Sequence, residues 1–181
     1  MDILDNFLKG IAGSAGLLNR AIENGSFIEC VCIYANQIDA LLRIGVILDS
    51  QLKENNSTIV DNLLYQNESD KIIYERSIYK RALENNIISQ NLFDNLSDLY
   101  DKRNRVVHRY IISGLTTKDI LDIAVEYETV YKKIITVIAN LETKQIKSNC
   151  GMTVLKRCES SKLNFQIINM INDKHGGINL T

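Results

Sequence analysis

The chain contains no proline, and its nine glycines are sparse in the middle of the sequence. Because these two residues are the usual helix breakers, their scarcity favours long helices. No uninterrupted apolar run reaches the roughly 20 residues that cross a bilayer. The start of the chain, Met1 to Asp5, also lacks the basic residues and the apolar stretch of a signal peptide. We therefore expect a cytoplasmic protein with no membrane partner.

Cysteine and histidine are also few, with four of the first and two of the second. Cys30 and Cys32 are two residues apart on a predicted helix and so point in different directions, while Cys150 and Cys158 lack CxxC spacing. Adding His175 to the second pair would make a zinc site, but idle or buried reduced thiols are the simpler interpretation. We predict no metal and no cofactor.

Charge of neither sign is in excess, since the net charge of the 181 residues is −1 at pH 7. A protein that coats nucleic acid without selectivity has a basic surface throughout, and this composition excludes that class. The hydrophobic content of 45% is ordinary for a globular protein, and the length suits one domain with a real core. Any contact with RNA must therefore be local.

Apolar residues recur at steps of three and four, which predicts an all-α fold, an up-down bundle of four to five helices. The stretch 55–69 is polar and is predicted to be a loop around a short apolar patch. Ser26 and Ser89 are predicted N-caps, and Thr116-x-x-Asp119 opens the last long helix. The second helix is apolar on more than one side, so we expect it to be central or to lie between two protomers. The first four predicted helices span residues 2–23, 26–54, 70–85 and 90–112.

The helical pattern ends near residue 146. We interpret residues 1–146 as one helical bundle and residues 147–181 as a polar C-terminal extension. Within the extension, Leu163, Ile167, Met170 and Ile171 have the spacing of a short docking helix. The paired glycines and polar residues that follow are typical of a loose end.

The fourth long helix carries the stretch with the most chemistry, Lys102-Arg103-Asn104-Arg105-Val106-Val107-His108-Arg109-Tyr110. Its apolar seam places Arg103 and Tyr110 at core positions. A buried, unpaired guanidinium costs several kcal/mol, so Arg103 must be paired, face a wet cleft or snorkel outwards. Asn104 and His108 are four residues apart and share a face, where the Asn side chain can orient the imidazole.

The ordered set Arg103-Asn104-x-x-x-His108-x-Tyr110 resembles the signature of the HEPN superfamily, small helical domains of nucleotide-binding and RNA-cleaving systems. The resemblance is confined to this stretch and to the helical architecture. It implies a HEPN-like bundle over residues 1–146 that acts as a homodimer. It also implies a cleft between two paired motif helices, one from each protomer. Arg103 and His108, about 140° apart on the helix, can both line such a cleft.

Cleavage of RNA without a metal needs a base, an acid and a cation that offsets charge on the phosphorane. We predict that His108 is the general base or acid, Arg103 the phosphate clamp and Asn104 the positioning residue. The product would be a 2′,3′-cyclic phosphate. Three further basic residues would dock the RNA backbone, although a solvated helix end that complements the helix dipole is the open alternative. These residues are Lys102, Arg105 and Arg109.

Tyr110 suggests one branch of the superfamily, the toxins encoded beside a minimal nucleotidyltransferase. The resemblance implies that this antitoxin silences the toxin by transferring AMP to Tyr110, which would set a negative phosphate beside the site. The alternative is that Tyr110 simply continues the apolar seam. Two functions follow: a ribonuclease of toxin-antitoxin or phage-defence systems, or a non-catalytic nucleotide-binding or docking partner of a nucleotidyltransferase.

Overall fold

The computed structural model describes residues 3–157, with side chains as far as residue 154, and confirms the all-α prediction. Over this range the chain forms a helical bundle of seven helices and no strand. Five helices are long and two are short. They are α1 (Ile3–Glu23), α2 (Phe27–Glu54), α3 (Asp61–Leu64), α4 (Glu75–Glu84), α5 (Gln90–Arg109), α6 (Thr117–Ser148) and α7 (Met152–Arg157).

Helix α2 is the centre of the bundle, one of the two positions that the sequence predicted for it. Helices α1, α3, α4, α5 and α6 all contact it, and its side chains Val31, Ile38 and Leu42 are fully buried. Its length and composition would also allow it to cross a membrane, but 67% of its most apolar window is buried inside the bundle. Burial from several sides explains why its apolar residues do not keep to one narrow stripe.

Two of the three predicted helix N-caps, those of α5 and α6, form the hydrogen bonds that the sequence predicted. The Ser89 hydroxyl accepts a hydrogen bond from the Leu92 amide at 3.3 Å and caps α5. Thr116 and Asp119 form a complete capping box at the start of α6. Ser26 occupies the N-cap position of α2, but its side chain makes no capping hydrogen bond, so the prediction is wrong on that point.

Two helices are shorter than predicted. Helix α4 begins at Glu75 rather than at residue 70, because the Ile73 carbonyl accepts a hydrogen bond from Arg43 on α2 and the chain before Glu75 is extended. Helix α5 ends at Arg109 rather than at residue 112, where the amide of Ile112 closes a turn on the Arg109 carbonyl. The turn between α5 and α6 therefore begins at Tyr110.

Arg43 is a buried cation that ties the α3 region to the centre of the bundle. Its guanidinium donates to Asp39 at 2.7 Å, to the Leu63 carbonyl at 3.2 Å and to the Ile73 carbonyl at 2.9 Å. The second carboxylate oxygen of Asp39 is buried and has no hydrogen-bond partner within residues 3–157. Burial raises the pKa of Asp39, and the charge and hydrogen bond of Arg43 oppose that rise only in part.

The described part of the predicted C-terminal extension packs on the bundle. Helix α6 continues two residues past residue 146, and α7 packs against it. The fully buried Gln145 donates to the Leu48 carbonyl at 3.1 Å and to the Gln51 side chain at 2.9 Å, while the Met152 amide donates to Gln51 at 3.0 Å. The predicted docking helix, Cys158 and His175 lie outside the described residues.

Candidate functional site

Helix α5 lies against α2, α4 and α6, and its inner face is set by Leu96, Leu99 and Val106. At 100° per residue, Arg103 lies about 60° around the helix from Val106, and His108 lies about 160° from Val106 on the opposite side. Arg103 therefore points towards α4, and His108 points away from the core. His108 is exposed, in agreement with that placement.

Arg103 lies in the groove between α4 and α5, and its side chain is only 19% exposed. Its Nη1 is 2.5 Å from Glu75 Oε2, its Nη2 donates to the Asn104 side-chain oxygen at 3.3 Å, and its guanidinium covers the Tyr100 ring at 4.7 Å. Burial alone would lower the pKa of Arg103, but the charge and hydrogen bond of Glu75 raise it above its ordinary value. A buried guanidinium needs either a partner or solvent, and Arg103 has a partner in Glu75.

The Glu75 carboxylate is itself held from within the bundle. One oxygen accepts from the hydroxyl of Tyr79, a buried residue one turn further along α4. Burial, and then the charge of Glu75, raise the pKa of that hydroxyl. The sequence showed only that Arg103 needs a partner. It could not show that Glu75 provides it, because nothing in the spacing of either helix tells which faces of α4 and α5 meet.

A second ion pair joins the same two helices closer to solvent. Arg76 donates to both carboxylate oxygens of Asp101, at 3.0 and 3.1 Å, and its guanidinium also lies 4.7 Å from the centre of the Tyr100 ring. The groove between α4 and α5 thus contains two guanidinium groups and one aromatic ring. The sequence reasoning missed Arg76, Tyr100 and Asp101, because exposed charges and a tyrosine are ordinary on a helix surface.

Asn104 is oriented towards Arg103 rather than towards His108. Its amide oxygen accepts from the Arg103 guanidinium, and the His108 side chain makes no hydrogen bond to any residue in the range 3–157. Spacing of four residues places Asn104 and His108 on one face, but the charged neighbour is the stronger hydrogen-bond donor. The expected Asn104–His108 contact is therefore not formed within one chain.

The basic residues of α5 divide into two groups. Lys102 is 2.5 Å from Glu126 on α6 and 2.9 Å from Asp98, so it joins α5 to α6 and its charge is balanced within the chain. Although burial lowers the pKa of Lys102, these two carboxylates raise it overall. Arg105 and Arg109 are exposed and form no ion pair with another described residue. Together with His108 they form an exposed basic face of α5.

Tyr110 does not continue the core, contrary to its place on the apolar seam. Helix α5 ends one residue before it, and the residue is 37% exposed. It lines a cavity of about 480 Å³ together with Ser26, Phe27 and Thr117. The seam prediction fails here because helical spacing holds only as far as the helix continues.

Exposed apolar side chains adjoin the basic face at the end of α5. Ile111 is 94% exposed and Ile112 is 82% exposed, and Val107 one turn before Ile111 is exposed too. We call Val107, Tyr110, Ile111 and Ile112 the terminal patch. Isolated exposed apolar residues are common, but four within six positions form a surface typical of an interaction site.

No protein-family model, curated protein or solved structure matches this chain. Within residues 3–157, no group of three or more His, Cys, Asp or Glu side chains is arranged to hold a metal ion. The described cysteines, Cys30, Cys32 and Cys150, are free thiols. The features of the described residues that point to a function are therefore the side chains of α5 and of its neighbours.

Proposed function

We propose that this protein is a metal-independent endoribonuclease of the HEPN type, which cleaves RNA by attack of the 2′-hydroxyl and leaves a 2′,3′-cyclic phosphate. The observation that carries the proposal is the position of His108. Its imidazole is exposed, lacks a partner among residues 3–157, and lies on the same exposed side of α5 as Arg105 and Arg109, about 60° around the helix from Arg105. An imidazole that can gain and lose a proton, beside cations that attract a phosphate, has the residue types that this reaction requires.

The proposed site is shared by two copies of the chain. Within one chain Arg103 lies in the groove between α4 and α5 and His108 lies on the outer face, so the two do not form a compact pair. Pairing two copies of α5 would bring the His108 of each near the other's basic residues. In this arrangement Arg103 stabilises charge on the phosphorane, His108 transfers the proton, and Arg105 and Arg109 hold the backbone.

The proposal is tested by incubating the full chain with RNA in the presence of EDTA. We expect cleavage without added metal, because the imidazole and guanidinium groups supply the base, the acid and the cation. The product ends should be 2′,3′-cyclic phosphates, detected by mass spectrometry or by their resistance to phosphatase. Cleavage only with added Mg²⁺, or products with 3′-hydroxyl ends, would contradict the mechanism.

Assembly is tested at the terminal patch. We expect a dimer in light scattering at micromolar concentration, and we expect Ile111→Asp to give a monomer without RNA cleavage, because a buried, unpaired carboxylate opposes association. Ile135→Asp is the control, because Ile135 is a partly exposed isoleucine in α6 that does not belong to the terminal patch. A wild-type monomer, or a dimer in both variants, would exclude a site shared through this patch.

A cognate nucleotidyltransferase antitoxin is the proposed partner in the toxin branch. In the single chain Tyr110 is partly exposed beside the basic face, so an enzyme that carries ATP can reach it before two copies pair through the terminal patch. An AMP group on Tyr110 would add a phosphate close to Arg109 and would compete with RNA for the same cations. We further propose that the protein acts in the cytoplasm, where its RNA substrate is found.

One observation favours the second function, a non-catalytic bundle that docks to or binds nucleotides for a nucleotidyltransferase. Arg103 is paired with Glu75 and half buried, as in an ion pair that only joins two helices. The EDTA assay separates the two functions. A folded dimer that binds but does not cleave RNA would support the docking function.

A further inference from the structure

Arg103, the proposed phosphate clamp, is already paired with a carboxylate of the same chain, Glu75. A guanidinium has five N–H groups. One donates to Glu75 and one to Asn104, so three have no partner among the described residues 3–157. The cation therefore has donors to spare, while its charge is already matched by a carboxylate.

A phosphate that approaches those remaining donors meets the charge of Glu75. The carboxylate is 2.5 Å from Arg103 Nη1 and cannot easily withdraw, because the buried Tyr79 hydroxyl holds its other oxygen. The Tyr100 ring supports the guanidinium from one side at 4.7 Å. The Glu75 carboxylate and an RNA phosphate would therefore compete for the Arg103 guanidinium, which is held in place in a groove that is only partly open to solvent.

We propose that the Glu75 carboxylate competes with the RNA phosphate for Arg103, so that the charge at residue 75 sets how tightly the groove between α4 and α5 binds RNA. This inference rests on the proposed function, because it takes RNA to be the ligand of Arg103. It assigns to Glu75, on α4, a role in setting the affinity of the site for RNA. A chain that contains such a competitor binds short or poorly placed RNA weakly and retains RNA that makes additional contacts.

The experiment measures the binding of RNA that cannot be cleaved. The probe is a 2′-O-methyl RNA oligonucleotide, which lacks the attacking hydroxyl, and its Kd is measured by fluorescence anisotropy. We expect Glu75→Gln to bind roughly tenfold more tightly than the wild type, since the amide keeps a hydrogen-bonding group but removes the competing charge. The affinity gain should shrink as salt concentration rises.

Glu84→Gln is the matched control. It makes the same change in net charge on the same helix, but Glu84 is exposed at the other end of α4 and pairs with Lys80. We expect its Kd to stay within about twofold of the wild-type value. An equal gain in both variants would assign the effect to net charge and would overturn the inference. An unchanged Kd in Glu75→Gln, with lower stability, would show that the Glu75–Arg103 pair only joins two helices.

Two further variants keep the charge at residue 75 and weaken its contact with Arg103. Tyr79→Phe removes the hydroxyl that holds Glu75, so the carboxylate can withdraw from Arg103, and we expect a Kd between those of the wild type and Glu75→Gln; a Kd above the wild-type value would contradict the competition. Should Glu75→Gln fail to fold, Glu75→Asp keeps the charge on a shorter side chain, further from Arg103. We then expect a Kd about threefold below the wild-type value, since the competing contact is weakened rather than removed; an unchanged Kd would overturn the inference. Binding of the 2′-O-methyl probe is measured without cleavage. The inference can therefore fail while RNA cleavage in EDTA succeeds, and cleavage can fail while the inference holds.

Discussion

We expect the replacement of His108 by alanine to abolish RNA cleavage and to leave the protein folded. Loss of a general acid or base typically costs about 10²–10⁴-fold in rate, and His108 is the side chain proposed to transfer the proton. The His108 side chain is exposed and makes no hydrogen bond within residues 3–157, so the free energy of unfolding should change by less than about 0.5 kcal/mol. The measurements are the cleavage rate in EDTA and a denaturation curve for each protein.

The chain offers its own control for this experiment. His175 is the only other histidine, and His175→Ala should cleave RNA at the wild-type rate. Binding of the 2′-O-methyl probe should be nearly retained in His108→Ala, because Arg105 and Arg109 remain. Cleavage that survives His108→Ala would remove the imidazole from the mechanism, and equal losses in both variants would point to a general effect of histidine replacement.

Replacing Arg43 by alanine should lower the free energy of unfolding by about 3–5 kcal/mol, the typical cost of removing one partner of a buried ion pair. The change removes three hydrogen bonds and leaves the largely buried Asp39 carboxylate without its ion-pair partner. Chemical denaturation measures the loss. Arg81→Ala, at an exposed arginine on α4, should cost less than about 0.5 kcal/mol. A small loss in both variants would show that the connection around α3 does not depend on Arg43.

The cost of Arg43→Ala should grow as the pH rises. Burial already raises the pKa of Asp39 above its ordinary value of 3.8, and removing Arg43 takes away the main opposing influence. A carboxyl with a raised pKa in the folded state releases its proton more readily in the unfolded state, so the folded state loses stability as pH rises above the ordinary value. The wild-type and variant proteins should therefore differ least near pH 3.8 and more near neutrality. A difference that does not vary with pH would mean that Asp39 is not the source.

Arg43 also shows why the start of α4 could not be predicted. The helical pattern of residues 70–85 is continuous, and nothing in it marks Glu75 as the first residue. The helix starts there because the Ile73 carbonyl bonds to a side chain 30 residues earlier in the chain. The same contact sets the position of Glu75 opposite Arg103.

The sequence by itself determined the features that depend on near neighbours in the chain. These are the all-α fold, the central position of α2, the Ser89 cap and the Thr116–Asp119 capping box, since helical periodicity and capping involve residues three or four apart. The candidate residues of α5 could be recognised from the sequence for the same reason, because they are near neighbours in the chain. Their spacing also placed Arg103 at a core position and put Asn104 and His108 on a shared face.

Only the tertiary structure decided what those residues contact. Arg103 pairs with Glu75, 28 positions away, and Lys102 pairs with Glu126, 24 positions away, whereas Arg105 and Arg109 are left exposed. Every helix offers several charged faces, and which of them meet depends on how the apolar cores of all the helices pack together. Because ion pairs form between faces that packing has already brought close, their partners follow from the fold and not from the local pattern.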